Sequence, residues 1–347
     1  MVNPYKTKLN ISTGKVDLSH GGGGKAMAQL IDQLFIKHFD NDLLRQHNDQ
    51  AIFTVPAGRL AISTDSYVIS PLFFPGGEIG SLAVHGTVND VAMSGAQPLY
   101  LAAGFILEEG LPLADLEKIV IGMADAAKRA GTPIVTGDTK VVERGKGDGV
   151  FINTTGVGIV PEGVNISGDR AQPGNVILIS GSIGDHGVAI MAGRENLQFE
   201  TTLVSDSAAL NSLVADMVAV APGDIHCLRD PTRGGLATAL NELAQQSGVG
   251  MVIDEARIPV KSEVKAACEI LGLDPLYVAN EGKLVCICAA AVAESLLAVM
   301  RHHPLGRDAA IIGEVIADEH RFVQMHTAFG GRRIVDWPVG EQLPRIC

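Results

Sequence analysis

Aromatic residues are scarce in this 347-residue chain, at 4% with a single Trp. The scarcity disfavours single-strand nucleic-acid binding, which relies on aromatic stacking platforms. Positive charge is also short: 27 Lys and Arg against 39 acidic residues give a formal net charge of −12. That is the wrong sign for gripping a phosphate backbone without an intervening cation. No nucleic-acid partner is expected, and a phosphate ligand is expected to arrive with Mg²⁺. No apolar run reaches the ~18 residues of a transmembrane helix; the stretch 284–293 comes nearest and Glu294 ends it. The first thirteen residues are polar and contain no signal-peptide core. No membrane association is expected. Five cysteines are an odd number in so long a chain, which argues against a disulfide framework and for a reducing cytoplasm.

What is abundant is aliphatic residues and glycine. Hydrophobic residues make up 46%, charged residues 19%, and there are 40 glycines, enough apolar material for a core and for two domains. The run His20-Gly21-Gly22-Gly23-Gly24-Lys25 leads into a helical pattern at Met27, Leu30, Ile31, Leu34 and Phe35. A short strand over 60–64 ends at Asp65. A helix from about Ser81 keeps Val84, Val88, Val91 and Ala92 on one face and puts Thr87, Asp90 and Ser94 on the other. Strands follow at 99–107, 133–136 and 150–160, with a helix between Pro112 and Gly131. The segment 161–174 is a boundary rich in Gly, Pro and polar residues. Beyond it a second α/β unit opens with a strand over 176–180. Helical patterns come at about 206–220, 235–247, 262–271 and 292–302, with strands near 250–253, 283–288 and 309–315. The last eighteen residues, 330–347, read as an extended tail.

Several of these residues have chemical potential. Glycines let backbone N–H groups approach a phosphate and Lys25 adds charge, as in a cradle, although a glycine run is also a plain flexible loop. It is not a Walker A loop, because Ser19 and Ala26 stand where that motif needs Gly and a hydroxyl. Asp65, Asp90, Asp138 and Asp230 sit where loops meet regular elements. Scattered carboxylates suit a hard cation that also holds substrate phosphates, while any one of them alone is equally a cap or turn residue. Glu281 precedes an apolar strand and is a candidate base with a raised pKa, or else part of a solvated turn. Cys286 and Cys288 alternate on that strand and read as core thiols. Cys347 is the final residue, stiffened by Pro344 and adjoined by Arg345, a place for a carrier thiol or an incidental one.

Taken together, these segments resemble the HypE family of hydrogenase maturation proteins. HypE is a branch of the ATP-binding superfamily of aminoimidazole ribonucleotide synthetase (PurM), selenophosphate synthetase and thiamine-monophosphate kinase. The resemblance runs from about Leu18 to Cys347. It is carried by Asp65 with its neighbours, Asn89-Asp90-Val91-Ala92, residues 136–141, 229–235, Asn280-Glu281-Gly282-Lys283 and the ending Pro344-Arg345-Ile346-Cys347, which is specific to this branch. It implies an α/β (α+β) two-domain PurM-like architecture: an ATP-binding and dimerisation domain (18–162), a second α/β domain (172–329) and a tail (330–347), preceded by an extension (1–17) that has no counterpart in the family and no assigned role. It further implies a cytoplasmic homodimer with ATP between the domains. A HypF carbamoyltransferase would load a carboxamide onto Cys347, ATP would drive its dehydration to a thiocyanate, and a HypC–HypD complex would accept the nitrile. The carried-over site residues are Lys25, Thr136, Gly137 and Thr139 for the nucleotide. Asp65, Asp90, Asp138 and Asp230 are assigned to Mg²⁺–ATP, Lys140 to the carboxamide or phosphoryl group, and Glu281 to the base.

Overall fold

The computed structural model describes residues 8–22, 24–46, 48, 50–194, 203–338 and 346; the expected carrier Cys347 lies outside them. A one-turn helix at Leu18–Gly21 precedes α1 (Lys25–Leu30), which continues through a π-helical stretch, Ile31–Ile36, into α2 (Lys37–Phe39). The first half then runs β1 (Arg59–Tyr67), the small hairpin β2 (Phe73–Phe74) and β3 (Gly77–Glu78), α3 (Ile79–Ala92), β4 (Gln97–Glu108), α4 (Leu113–Ala130), β5 (Ile134–Val142) and β6 (Val150–Val160). Its four-stranded sheet has the order β1-β6-β4-β5, with only β4 and β5 parallel. One face is covered by α3 and α4. The other carries Leu60, Ile62 and Ile106 exposed to solvent, Ile62 at 75%.

The second half comprises β7 (Val176–Ile179), α5 (Asp185–Arg194), α6 (Asn211–Val220), β8 (Ile225–Arg229), α7 (Gly235–Ser247), β9 (Gly250–Asp254), α8 (Ser262–Leu271), β10 (Val285–Cys288), α9 (Ala293–His302), β11 (Ala310–Ile316), β12 (Val323–His326) and β13 (Arg332–Ile334). Its sheet has the order β13-β12-β9-β11-β7-β10-β8. Cys227, Cys286 and Cys288 are free and buried in its interior, as core thiols.

Three expectations are corrected. Residues 133–136 are only the start of β5, which continues through Gly137, Asp138, Thr139 and Lys140 because β4 pairs with it along that length. Asp65 lies inside β1 rather than at its end. The polar side of α3 is enclosed: Thr87 is fully buried, bonded to Tyr67 and Thr154, because the helix is covered by its own sheet, α4 and the second half. Part of the expected tail is sheet, since β13 pairs with β12. At the other end, Val16 is buried and exchanges backbone bonds with Leu111 and Gly110, so the described part of the N-terminal extension is packed onto the first half.

Candidate active site

Helix α3 delivers Asp90 to the boundary between the halves. Ser63 Oγ, on β1, donates to Asp90 Oδ2 at 2.8 Å, and Asp65 points to the same side of the sheet two residues later. The cross-strand neighbour of Asp65 is Thr154, whose hydroxyl bonds back to α3. From the second half, β8 ends in Arg229 and hands on Asp230. The turn that follows is fixed by Gly235, which holds a left-handed φ of 59°, and a Cβ there would stand 2.6 Å from two carbonyl oxygens.

Glu281 sits on a turn that neighbours lock from several sides. Buried Asn280 accepts from Gly184 N–H and donates to the carbonyls of Pro231 and Val278. Glu281 N–H donates to Asp206 Oδ1 at 3.0 Å. Gly282 lies against the Asp206 carbonyl so closely that a Cβ would approach it to 1.8 Å. Glu281 is buried, and its Oε1 has no hydrogen-bond partner.

The carboxyls raise one another's pKa values. Burial, then the charge of Asp90, pushes Asp230 up to about 7. Burial and the Asp65 charge push Asp90 upward against the Ser63 bond, which lowers it. Glu281 is driven well above the usual carboxylate range by burial, then by Asp230, Asp206, Asp65 and Asp90. Arg229 and Arg233 offset part of this charge, although Arg229 is also paired with Glu242. Asp65, Asp90, Asp230 and Glu281 therefore form one electrostatic unit, drawn from both halves.

The remaining predicted residues are elsewhere. Asp138 and Lys140 project from the opposite face of the sheet, alongside Ile106 and Gly104, and pair with each other at 2.6 Å. The Lys140 bond holds the Asp138 carboxyl below its ordinary range. β1 and β5 are the two edges of the sheet, so Asp65 and Asp138 are separated by three strand spacings, about 14 Å. Lys25 begins α1, and Gly21 just before it packs against Val141 of β5. Thr136, Gly137, Asp138 and Thr139 line a cleft of about 440 Å³ with Met27, Ile31 and Phe35. Within one chain the expected site is thus two clusters, an acidic one and a glycine-and-lysine one. Among the described residues, no three His, Cys, Asp or Glu side chains are already gathered around one point.

Sequence reasoning missed a third group, of buried polar residues beside the acids. His186 on α5 bonds Ser205 Oγ through Nδ1 at 2.8 Å and the Ile346 carbonyl through Nε2 at 2.8 Å. Asp206, which holds Glu281, also faces Lys283 at 3.4 Å. Asn89 donates to the Ala208 and Glu281 carbonyls and accepts from Leu210 N–H, joining the two halves next to Asp90. The signal available was Asp185-His186 following an apolar strand, a polar pair in a stretch otherwise fit for burial.

Residues 47–160 match the family model for the AIR synthase related protein N-terminal domain, and residues 172–326 match the one for its C-terminal domain. The chain is 68% identical to the carbamoyl dehydratase HypE of Cupriavidus necator over 344 residues, covering 99% of this chain and 98% of that one. It superimposes with a TM-score of 0.92 on a crystal structure of hydrogenase maturation protein HypE in complex with ATP, at 54% identity, covering 95% of this chain and 99% of that one. The TM-score is 0.79 at 51% identity for HypE from a HypE–HypF complex, covering 89% of this chain and 99% of that one. Two AIR synthase related domains in tandem, matched from end to end by such relatives, place the chain in the carbamoyl dehydratase HypE family.

Proposed function

We propose that this chain dehydrates a carboxamide carried on the Cys347 sulfur to a protein thiocyanate, with ATP hydrolysed to ADP and phosphate, and so supplies the cyanide ligand for the iron of a [NiFe]-hydrogenase. The observation that carries this reading is the position of Glu281: a buried carboxyl with an unpartnered oxygen, set among Asp65, Asp90 and Asp230. Relatives crystallised with ATP and with HypF support the nucleotide and a HypF-type carbamoyl donor. A HypC–HypD complex is the nitrile acceptor, and the cytoplasm is the compartment; among the described residues no helix is long and apolar enough to cross a membrane.

The donor set fits Mg²⁺. Hard carboxylate oxygens arrive from three separate elements, and burial, then their mutual repulsion, raises the pKa values of Asp90 and Asp230. Asp65, Asp90 and Asp230 would hold the ion, which when bound supplies positive charge against the ATP phosphates. Glu281, raised by burial and then by these carboxylates, would be brought toward the pKa a base needs near neutral pH once their charge is balanced.

Oxide is too poor a leaving group to be expelled from an amide directly. The amide oxygen therefore attacks the γ-phosphorus, the bond to the ADP oxygen breaks, and the oxygen becomes part of a phosphate ester. One nitrogen proton passes to Glu281. The C–O bond then breaks as C≡N forms, and phosphate departs with the second proton. Lys140 steadies the carboxamide or the phosphoryl group.

Lys25, Thr136, Gly137, Asp138, Thr139 and Lys140 reach this chemistry in a homodimer. A two-fold axis along the strands, between the open faces of two sheets, lays β5 of one copy over β1 of the other. The exposed Leu60, Ile62 and Ile106 give that face an apolar area to bury. Because β1 is an edge strand, the acids on its covered side would lie at the rim of that interface, where each site would combine them with the glycine-and-lysine cluster of the partner. The test is the intact mass of carbamoylated protein given ATP. Loss of one water per ADP formed is expected, and Cys347→Ala should abolish it. Unchanged product formation on a protein carboxamide by the Ala variant would exclude the mechanism.

A further inference from the structure

We infer that His186 is the positioning residue that seats the C-terminal end of the chain in the cleft between the halves. Its ring is wholly buried, and both nitrogens are committed. The Ile346 carbonyl can only accept, so Nε2 carries the proton and donates to it at 2.8 Å. Nδ1 is then the acceptor for the Ser205 hydroxyl at 2.8 Å, and Ser205 Oγ accepts from Ser207 N–H at 3.1 Å. Burial lowers the His186 pKa and keeps the ring neutral, which this one-way chain of donors requires. Phe74 meets the ring edge-on at 5.7 Å between centroids, fixing its plane.

Ile346 is captured by its side chain as well. It is 3% exposed and belongs to a core cluster that includes Ile190 of α5 and Ala279, one residue before Asn280. The residue that precedes the terminal cysteine is thus held by one buried hydrogen bond and one buried aliphatic group. The three residues 205–207 tie this seat to the acidic cluster, because Asp206, between the two serines of the chain, binds Glu281 N–H. The carbonyl held by His186 belongs to the peptide bond leading to Cys347, so the latch sets where the final residue starts relative to Glu281. This rests on the reading that Cys347 carries the reacting group, although the latch itself is independent of any reaction.

The test is the rate at which N-ethylmaleimide modifies Cys347 in the full-length protein, followed by intact mass and peptide mapping, without carbamoyl donor. Cys227, Cys268, Cys286 and Cys288 are buried, so they contribute little background. His186→Phe, which keeps a ring but has no donor, is expected to speed Cys347 labelling about tenfold, the worth of one buried hydrogen bond. His186→Gln retains an N–H donor and is expected to restore most of the protection. Ile346→Ser should speed labelling too, and combined with His186→Phe it should add less than its separate effect. A purely structural histidine would show neither the glutamine rescue nor this non-additivity. Should His186→Phe fail to fold, Ser205→Ala leaves the ring in place, removes its orienting hydroxyl and is expected to give about threefold faster labelling. Wild-type labelling rates in folded His186→Phe or Ser205→Ala would overturn the proposal. So would a wild-type protein whose Cys347 reacts as fast as in Ile346→Ser. The dehydration reaction is read separately, by water loss from carbamoylated wild-type protein, so either idea can fail alone.

Discussion

The two edges of the first sheet carry acids in opposite electrostatic condition. On β5, Asp138 is exposed, paired with Lys140 at 2.6 Å, and held below its ordinary pKa. Beside β1, Asp90 and Asp230 repel each other and Glu281, and their pKa values are raised. The first cluster is already neutralised by its own lysine; the second is short of positive charge. One fold thus holds a settled half-site and a frustrated one, and the frustrated half is the one expected to respond to a cation and to pH.

The sharpest break in that comparison comes from Glu281→Gln. It is expected to lower the dehydration rate by about 10²–10⁴-fold, the usual share of a general base, measured in single turnover on carbamoylated protein; Asp138→Asn should leave the pH dependence of cation binding unmoved. Next is pH itself. Asp230 keeps its proton up to about 7 in the cation-free protein, so protons compete with Mg²⁺ below that value. The Mg²⁺ affinity measured by calorimetry should rise about tenfold per unit as pH increases toward 7 and level off above it. A flat profile between pH 5.5 and 7 would contradict the shared cluster.

Mixing inactive variants sharpens the comparison in another way. If each site takes Asp90 from one chain and Asp138 from the other, co-refolded Asp90→Asn and Asp138→Asn proteins should recover about a quarter of wild-type activity, because half the dimers are mixed and each has one intact site. No recovery would put both acids to work in the same chain. The smallest effect is on stability. Between about pH 4 and 7 the folded protein binds the Asp230 proton that an unfolded carboxyl, with its ordinary value of 3.8, has lost. Stability therefore declines as pH rises through that window. Asp230→Asn should flatten this decline in melting temperature for the nucleotide-free protein while removing its stabilisation by Mg²⁺–ATP.

Much of this was legible in the sequence. Helix α4 lies between Pro112 and a Gly131 with φ of 67°, where its caps predict it, and α7 and α8 occupy their predicted spans. β5 was cut short because Gly137 and Asp138 are poor strand formers, and only pairing with β4 overrides that preference. The acids themselves were visible as residues. Their division between sheet faces was not, since it depends on strand register. His186, Ser205 and Asp206 were invisible for a related reason: their partners lie up to 160 residues away, and no local pattern records a bond that only the finished tertiary structure makes.

Asn89 sits directly before Asp90, with its amide fastened to the Ala208 and Glu281 carbonyls and its oxygen to Leu210 N–H. The same short stretch of α3 therefore both rivets the halves together and carries an acid of the cluster. The two shells cannot part at this point without breaking those three bonds and displacing Asp90, so the geometry of the acidic cluster and the closure of the halves are one and the same constraint.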